Sequence, residues 1–292
     1  MQQRLFQGCG TAMFTPFKDD KVDIETFAAN VERQVKAGMD FLVPLGTTGE
    51  TPTLSDAEKR LVLETARAHA GGRKIVVGVG TNSVPGTLAN IRLLPEADAF
   101  LVVAPYYNKP PQRGLYEYFR TVAGETDKPV ILYNVPSRTG CNIEAETTLR
   151  LAHDVPNIVG VKEASGKIDQ IFAILKDRPA DVSVLSGNDD DTLKLMKEGA
   201  DGVISVASNV APAEMVQFVH AAFAKDWATA EALDARLGDL FRNLFIEPNP
   251  IPGKAAMSRL GLMENTLRLP LVPATQATED IMKQTLEALW KK

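Results

Sequence analysis

Short apolar runs alternate with amphipathic stretches along the first three quarters of this chain. Runs at residues 10–14, 41–45, 74–79, 99–103, 130–133, 158–162, 182–186 and 202–206 are bounded by Gly, Pro, Asn, Asp or Ser, which predicts eight buried strands. Between them polar and apolar positions recur with a helical period. Residues 23–37 open on an acidic cap, and Ser55-Asp56-Ala57-Glu58 matches a capping box that starts a helix running to about Ala70. Further helices are expected at 87–94, 114–124, 144–153, 168–176, 190–197 and 212–224. Strands that alternate with helices pair in parallel through right-handed crossovers. Eight such units predict an α/β protein whose residues 1–224 form a closed (β/α)8 TIM barrel. An open doubly wound sheet is the structural alternative, but Gly78-Val79-Gly80-Thr81-Asn82-Ser83 lacks the last glycine of a dinucleotide fingerprint. The stretch 160–167 fails as a P-loop, because its glycines are one residue too far apart and Ile168 replaces the metal-binding hydroxyl.

After residue 224 the strand signal stops. Residues 226–245 and 273–289 read as helices, and Glu247-Pro248-Asn249-Pro250-Ile251-Pro252 reads as a rigid connection whose prolines exclude helix. Residues 225–292 are therefore expected to form a C-terminal helical extension, packed on the barrel or on another subunit.

Composition narrows the class without naming a chemistry. Of 292 residues, 45% are hydrophobic and 24% charged, as in ordinary globular proteins, and the net charge of −5 gives no reason to expect nucleic acid or an acidic membrane as partner. No apolar stretch is long enough to span a bilayer, and the first six residues lack a signal-peptide core. With only Cys9 and Cys141, a disulfide framework is not expected and a reducing cytoplasm is the simplest location. His69, His153 and His220 lie far apart in helical segments, without metal-ligand spacing.

Lys162 changes this picture. It closes the run Ile158-Val159-Gly160-Val161 and precedes Glu163-Ala164-Ser165-Gly166, so it stands where a strand leaves the core. Burial disfavours an ammonium, and a neutral amine attacks a ketone or aldehyde to give a Schiff base. One such lysine alone reads as a surface residue, but the other strand ends carry matching chemistry. They deliver Gly46-Thr47-Thr48-Gly49-Glu50, Gly80-Thr81-Asn82, Pro105-Tyr106-Tyr107-Asn108, Tyr133-Asn134-Val135-Pro136-Ser137-Arg138, Gly187-Asn188-Asp189 and Ser205 to the same face. Tyr133 is placed to carry protons beside the amine, with Thr47 passing them onward. The Thr47-Thr48 turn can hold a carboxylate, and Arg138 offers a fork for a second one. This reads as a lyase or aldolase that joins a 2-keto acid to an aldehyde. Glu163 reads either as a partner of Lys162 or as a charge at the rim, and Asp189-Asp190-Asp191 as a cap for the next helix.

As a set, these motifs, with Lys109-Pro110, Thr139-Gly140 and Glu247-Pro248-Asn249-Pro250-Ile251-Pro252, resemble the dihydrodipicolinate synthase family from about Phe6 to the C-terminus. The first motif and the lysine are shared with the wider pyruvate-dependent class I aldolases, including N-acetylneuraminate lyase, and Arg138 is the discriminating residue. The resemblance implies condensation of pyruvate with L-aspartate 4-semialdehyde in lysine and diaminopimelate synthesis. It implies Lys162 as Schiff-base former, Tyr133 as proton donor and acceptor, and Thr47 and Tyr107 as relay, Tyr107 reaching in from an adjacent subunit. It further implies that Thr48 and Ile204 contact pyruvate, that Gly187 is substrate-binding and that Arg138 guides the semialdehyde carboxylate. A homotetramer built as a dimer of dimers is implied, with no metal or organic cofactor. Lysine-inhibited members often carry histidines at the positions of Asp56 and Lys59 and a glutamate at Gly86. All three differ here while Asn82 and Tyr106 remain, so feedback by lysine is expected to be weak or absent. Gly253 stands where a larger residue commonly follows the proline-rich motif. The rival readings are another pyruvate-dependent aldolase acting on a sialic acid or sugar acid, and a non-catalytic keto-acid-binding regulator.

Overall fold

The apolar runs are buried on both faces, as a parallel sheet covered by helices requires. In the computed structural model, which describes residues 4–291, the strands are β1 (Gly8–Ala12), β2 (Phe17–Lys18), β3 (Lys21–Val22), β4 (Phe41–Val43), β5 (Lys74–Gly78), β6 (Ala99–Val103), β7 (Val130–Asn134), β8 (Ile158–Glu163), β9 (Ser183–Ser186) and β10 (Gly202–Ser205). All but β2 and β3 pair in parallel and close in the order β1-β10-β9-β8-β7-β6-β5-β4, the expected eight-stranded barrel. The terminal residues 1–3 and 292, on which parts of the sequence reading fall, lie outside the described residues.

The helices are α1 (Ile24–Lys36), α2 (Asp56–His69), α3 (Val84–Leu93), α4 (Gln112–Gly124), α5 (Pro136–Thr139), α6 (Ala145–Asp154), α7 (Ile168–Asp177), α8 (Thr192–Lys197), α9 (Pro212–Phe223), α10 (Trp227–Asn243), α11 (Ile251–Arg259) and α12 (Gln276–Leu289). Their starts follow the caps in the sequence. Ser55 and Glu58 form the full capping box of α2, and Asp23 accepts from the Thr26 N–H at 3.1 Å to open α1. After β10 the described chain is helical, with α10 and α11 both packed on α12. No helix among the described residues is long and apolar enough to cross a membrane.

Among the elements that depart from the sequence expectation, three stand out. β1 ends at Ala12, two residues short of the expected run, and Met13 and Phe14 leave the strand still buried. The β2–β3 hairpin was not expected; it turns on Asp19 and Asp20, both with left-handed backbone. The proline-rich motif does not exclude helix. α11 begins at Ile251 with Pro252 in its first turn, where the missing N–H has no helical acceptor to lose.

The core has two layers. An inner cluster, including Phe41, Val76, Leu101, Ile131, Leu185 and Ile204, fills the barrel, and a larger outer cluster packs the helices on it. The N-terminal rim is sealed by side chains that stand just before alternate strands. Asp40 accepts from Cys9 N at 2.7 Å, Asp98 from Ile75 N at 2.7 Å and Asp201 from Val184 N at 2.8 Å. These charges are themselves paired, Asp40 with His220, Asp98 with Arg67, and Asp201 with Arg4 and Arg178.

Candidate active site

A cavity of about 670 Å³ opens at the C-terminal rim, lined by Thr47, Thr48, Tyr133, Arg138, Lys162, Gly187 and Asn249 among others. Lys162 and Tyr133 are direct partners in the β7–β8 register, and both project inward. The lysine is 5% exposed, and its Nζ lies 4.5 Å from the centre of the Tyr133 ring. Among the described residues it has no carboxylate within ion-pair distance. Burial pulls its pKa down to about 8; the Arg138 charge pulls the same way and the Asp189 charge opposes it. Gly187 leaves room for the lysine, since a Cβ there would stand 2.5 Å from the Ala164 Cβ and 3.1 Å from the Lys162 Cε.

Burial pushes the Tyr133 phenol up, against the opposing effects of the Arg138 charge and a hydrogen bond with the Thr47 side chain. Thr47 and Thr48 belong to a single 3-10 turn, Thr47–Gly49, which leaves its first N–H groups without intrahelical acceptors. Arg138 stands on the short helix α5, immediately beyond β7, and donates to the Asn249 carbonyl at 3.0 Å. Asn249 in turn donates from Nδ2 to Thr48 Oγ1 at 3.0 Å, while its buried Oδ1 has no partner. The sequence marks the Asn249 segment as a rigid connection and as part of the family resemblance, but gives Asn249 no role at the site. The signal was present, because an asparagine held between two prolines is rigid and polar, but nothing in the spacing told which face it would meet.

Two acidic groups take other places than expected. Glu163 neither pairs with Lys162 nor sits at the rim. Strand alternation turns it outward, where it is 1% exposed. There it accepts from Asn134 Nδ2 at 2.6 Å, Gln170 Nε2 at 3.1 Å and Ser165 Oγ at 3.2 Å. Burial raises its pKa to about 7 in spite of those donors. Asp189 does not cap α8. It is buried, and its Oδ2 accepts from Val206 N at 3.1 Å and Ala207 N at 2.9 Å, which joins the ends of β9 and β10. Its Oδ1 has no partner. Capping fails because Thr192 opens α8 three residues on and Asp191, at the cap position, makes no capping bond.

Tyr107 and Ile204 are not on the cavity wall. Tyr107 is 88% exposed, with a left-handed backbone. Ile204 is fully buried in the inner cluster with Tyr133, and Val206 lines the cavity from the same strand end. Gly253 accommodates the Phe14 ring, whose Cζ would lie 2.3 Å from a Cβ at that position. Among the described residues no group of three or more His, Cys, Asp or Glu side chains gathers as metal ligands would. Cys9 and Cys141 are free thiols.

A buried, unpaired amine beside a phenol, with an arginine fork and two threonines facing it, suits Schiff-base chemistry on a small anionic carbonyl compound. Comparison with known proteins points the same way. The model of the dihydrodipicolinate synthetase family matches residues 5–289. The chain is 46% identical to 4-hydroxy-tetrahydrodipicolinate synthase of Thermotoga neapolitana over 288 residues, 97% of this chain and 98% of that one. It superposes on the crystal structure of dihydrodipicolinate synthase from Thermotoga maritima with a TM-score of 0.96 and 42% identity, covering 98% of this chain and 99% of that one. The Acinetobacter baumannii dihydrodipicolinate synthase, whose structure was determined in complex with pyruvate, superposes with a TM-score of 0.94 at 38% identity, over 97% of this chain and 98% of that one.

Proposed function

The chain belongs to the dihydrodipicolinate synthetase family, and on that premise we propose that it is a lyase that condenses pyruvate with L-aspartate 4-semialdehyde to give 4-hydroxy-tetrahydrodipicolinate for lysine synthesis. The observation that carries the reading is Lys162, an amine with a pKa of about 8 in a barrel-mouth cavity beside Tyr133. The neutral amine adds to the keto carbon of pyruvate, and water leaves to give an iminium. Loss of a methyl proton then gives an enamine. Its terminal carbon attacks the aldehyde carbon of the semialdehyde, and the aldehyde oxygen takes up a proton. The amino group of the semialdehyde closes the ring on the iminium carbon and releases Lys162. Each proton step needs a carrier next to the amine, and the Tyr133 phenol with its Thr47 partner is suited to that task.

Thr48 is read as pyruvate-binding, Gly187 as substrate-binding and Arg138 as the fork for the semialdehyde carboxylate, while Ile204, buried off the cavity wall, backs the site from the inner core. Tyr107 is read as a relay group for a neighbouring subunit. Its 88% exposure within one chain supports that reading, as does the tetramer built as a dimer of dimers that the resemblance implies. Feedback by lysine is read as weak. Asp56 and Lys59 pair with each other at 3.1 Å, and a side chain at Gly86 would press on Thr81 Oγ1 at 2.8 Å.

Borohydride added with pyruvate tests the core of this reading. The expected result is a reduced pyruvate adduct on Lys162, found by peptide mapping, and its loss from the trapped pool when the semialdehyde is present. An adduct on another lysine, or none, overturns it.

A further inference from the structure

Resting on that reading, we propose that Glu50 and Lys254 are positioning residues for the reaction, whose buried ion pair holds the Thr47-Thr48 turn against the Asn249 segment. Glu50 ends the turn. Its N–H donates to Thr47 O at 3.1 Å, and its backbone is left-handed with φ +51°. Its carboxylate leaves the cavity side and enters the packing behind it, where Oε1 lies 2.5 Å from Lys254 Nζ, both side chains being fully buried. Oε2 accepts from Arg268 N at 3.1 Å.

Lys254 stands in the first turns of α11. Its N–H donates to Pro250 O at 2.9 Å, its Nζ donates to Thr266 O at 2.9 Å, and the ammonium lies 4.2 Å from the centre of the Phe17 ring. One residue before Pro250, Asn249 bonds Thr48 Oγ1 and carries the carbonyl that holds Arg138. The contacts therefore close on themselves: Thr48 to Glu50 through the turn, Glu50 to Lys254, Lys254 to Pro250, and Asn249 back to Thr48. Cavity residues form one side of this circuit and the ion pair forms the other.

Stability alone does not account for the pair. Burying two charges forfeits hydration that an apolar pair of similar size would never lose. A left-handed glutamate adds backbone strain at the same residue. Both unfavourable features fall one residue beyond the turn that faces the cavity, and such concentration marks geometry fixed for function.

The test compares the full-length wild type with two variants. E50Q/K254M removes both charges, leaves neither alone, and keeps an acceptor for Arg268 N. E50D keeps the pair and the charge but shortens the tie by one methylene. For each folded variant, kcat and the KM for pyruvate are measured beside the borohydride adduct on Lys162. Expected is a kcat lower by about tenfold or more and a KM for pyruvate raised about fivefold, with Lys162 still trapped at saturating pyruvate. Wild-type kcat and KM in either folded variant overturn the proposal. Absence of turnover and adduct in the wild type itself overturns the reading on which it rests, and is a distinct result.

Discussion

Lys162, at the mouth of the barrel, and Lys254, in the helical layer behind it, start from the same physics. Both are buried, and burial pulls each to a pKa of about 8. They differ in what surrounds the nitrogen. Lys254 meets a carboxylate at 2.5 Å, a backbone carbonyl at 2.9 Å and an aromatic face, so its charge is fully engaged. Lys162 meets a phenol ring, a cavity and a cationic neighbour, with no carboxylate in ion-pair reach. A depressed pKa therefore does not by itself identify a nucleophile. The lone pair must also have somewhere to go, and only Lys162 faces an empty volume large enough for a substrate.

Breaking each lysine in turn should separate the two roles. The largest effect is expected for Lys162→Ala. Turnover should fall by on the order of 10⁴-fold or more, while the thermal midpoint holds or rises, because a poorly solvated charge has been removed. A steady-state assay beside a thermal melt reads both. A variant that loses stability as well as activity would move Lys162 into the structural class.

Lys254→Met should cost stability first, with a smaller loss of turnover. It leaves Glu50 buried and alone, at a cost of about 3–5 kcal/mol read from denaturant unfolding. The pyruvate adduct on Lys162 should still form in whatever fraction is folded. Next in size, Arg138→Ala should lower kcat/KM for the semialdehyde by about 100-fold and leave adduct formation with pyruvate within a few-fold of wild type. Equal losses on both substrates would show that Arg138 acts mainly through its bond to the Asn249 carbonyl.

The smallest effect is a pH profile. With Lys162 near 8 in the folded protein, its neutral fraction grows about tenfold per pH unit below 8 and levels off above it, so the rate of adduct formation should follow that curve. Stability carries the same signature with a defined sign. A lysine whose pKa falls from 10.5 to about 8 on folding has shed a proton that the unfolded chain keeps. Between about pH 8 and 10.5 folding stability therefore gains from each lysine as pH rises. Denaturant melts of Lys162→Ala should lack its share of that rise. A rise unchanged from wild type would place the lysine's pKa near its ordinary value.

The barrel was legible because strands covered on both faces must be apolar throughout, and the runs around Val130 and Ile158 have no other reading at that length. Lys162 was legible because it ends such a run. What escaped was set by contacts distant in sequence. Asn249 reaches Thr48 across 201 positions, and no local pattern encodes that meeting. Glu163 was misread because a charged residue beside a catalytic lysine suggests a partner, whereas strand geometry sends adjacent side chains to opposite faces. Asp189 was misread because three consecutive aspartates before a helix imitate a cap, although only the first of them is fully buried. The helix after the prolines was missed because proline was taken as a breaker when it stood in a first turn. Lys254 left a faint sign: it sits in Gly253-Lys254-Ala255-Ala256-Met257, a helical stretch with no polar face on which a lysine could be solvated.

The outward Glu163 has a consequence for how this sequence can change. Amine and carboxyl occupy adjacent links of one strand, one facing the reaction chamber and the other the surrounding wall. A deletion of one residue earlier in β8 would present the acid to the keto compound, and an insertion would drive the ammonium among the amides that now donate to the acid. Point substitutions can accumulate around this strand, but its frame admits no drift, so descendants with altered substrates must arise by editing the loops and leaving the stave at its full length.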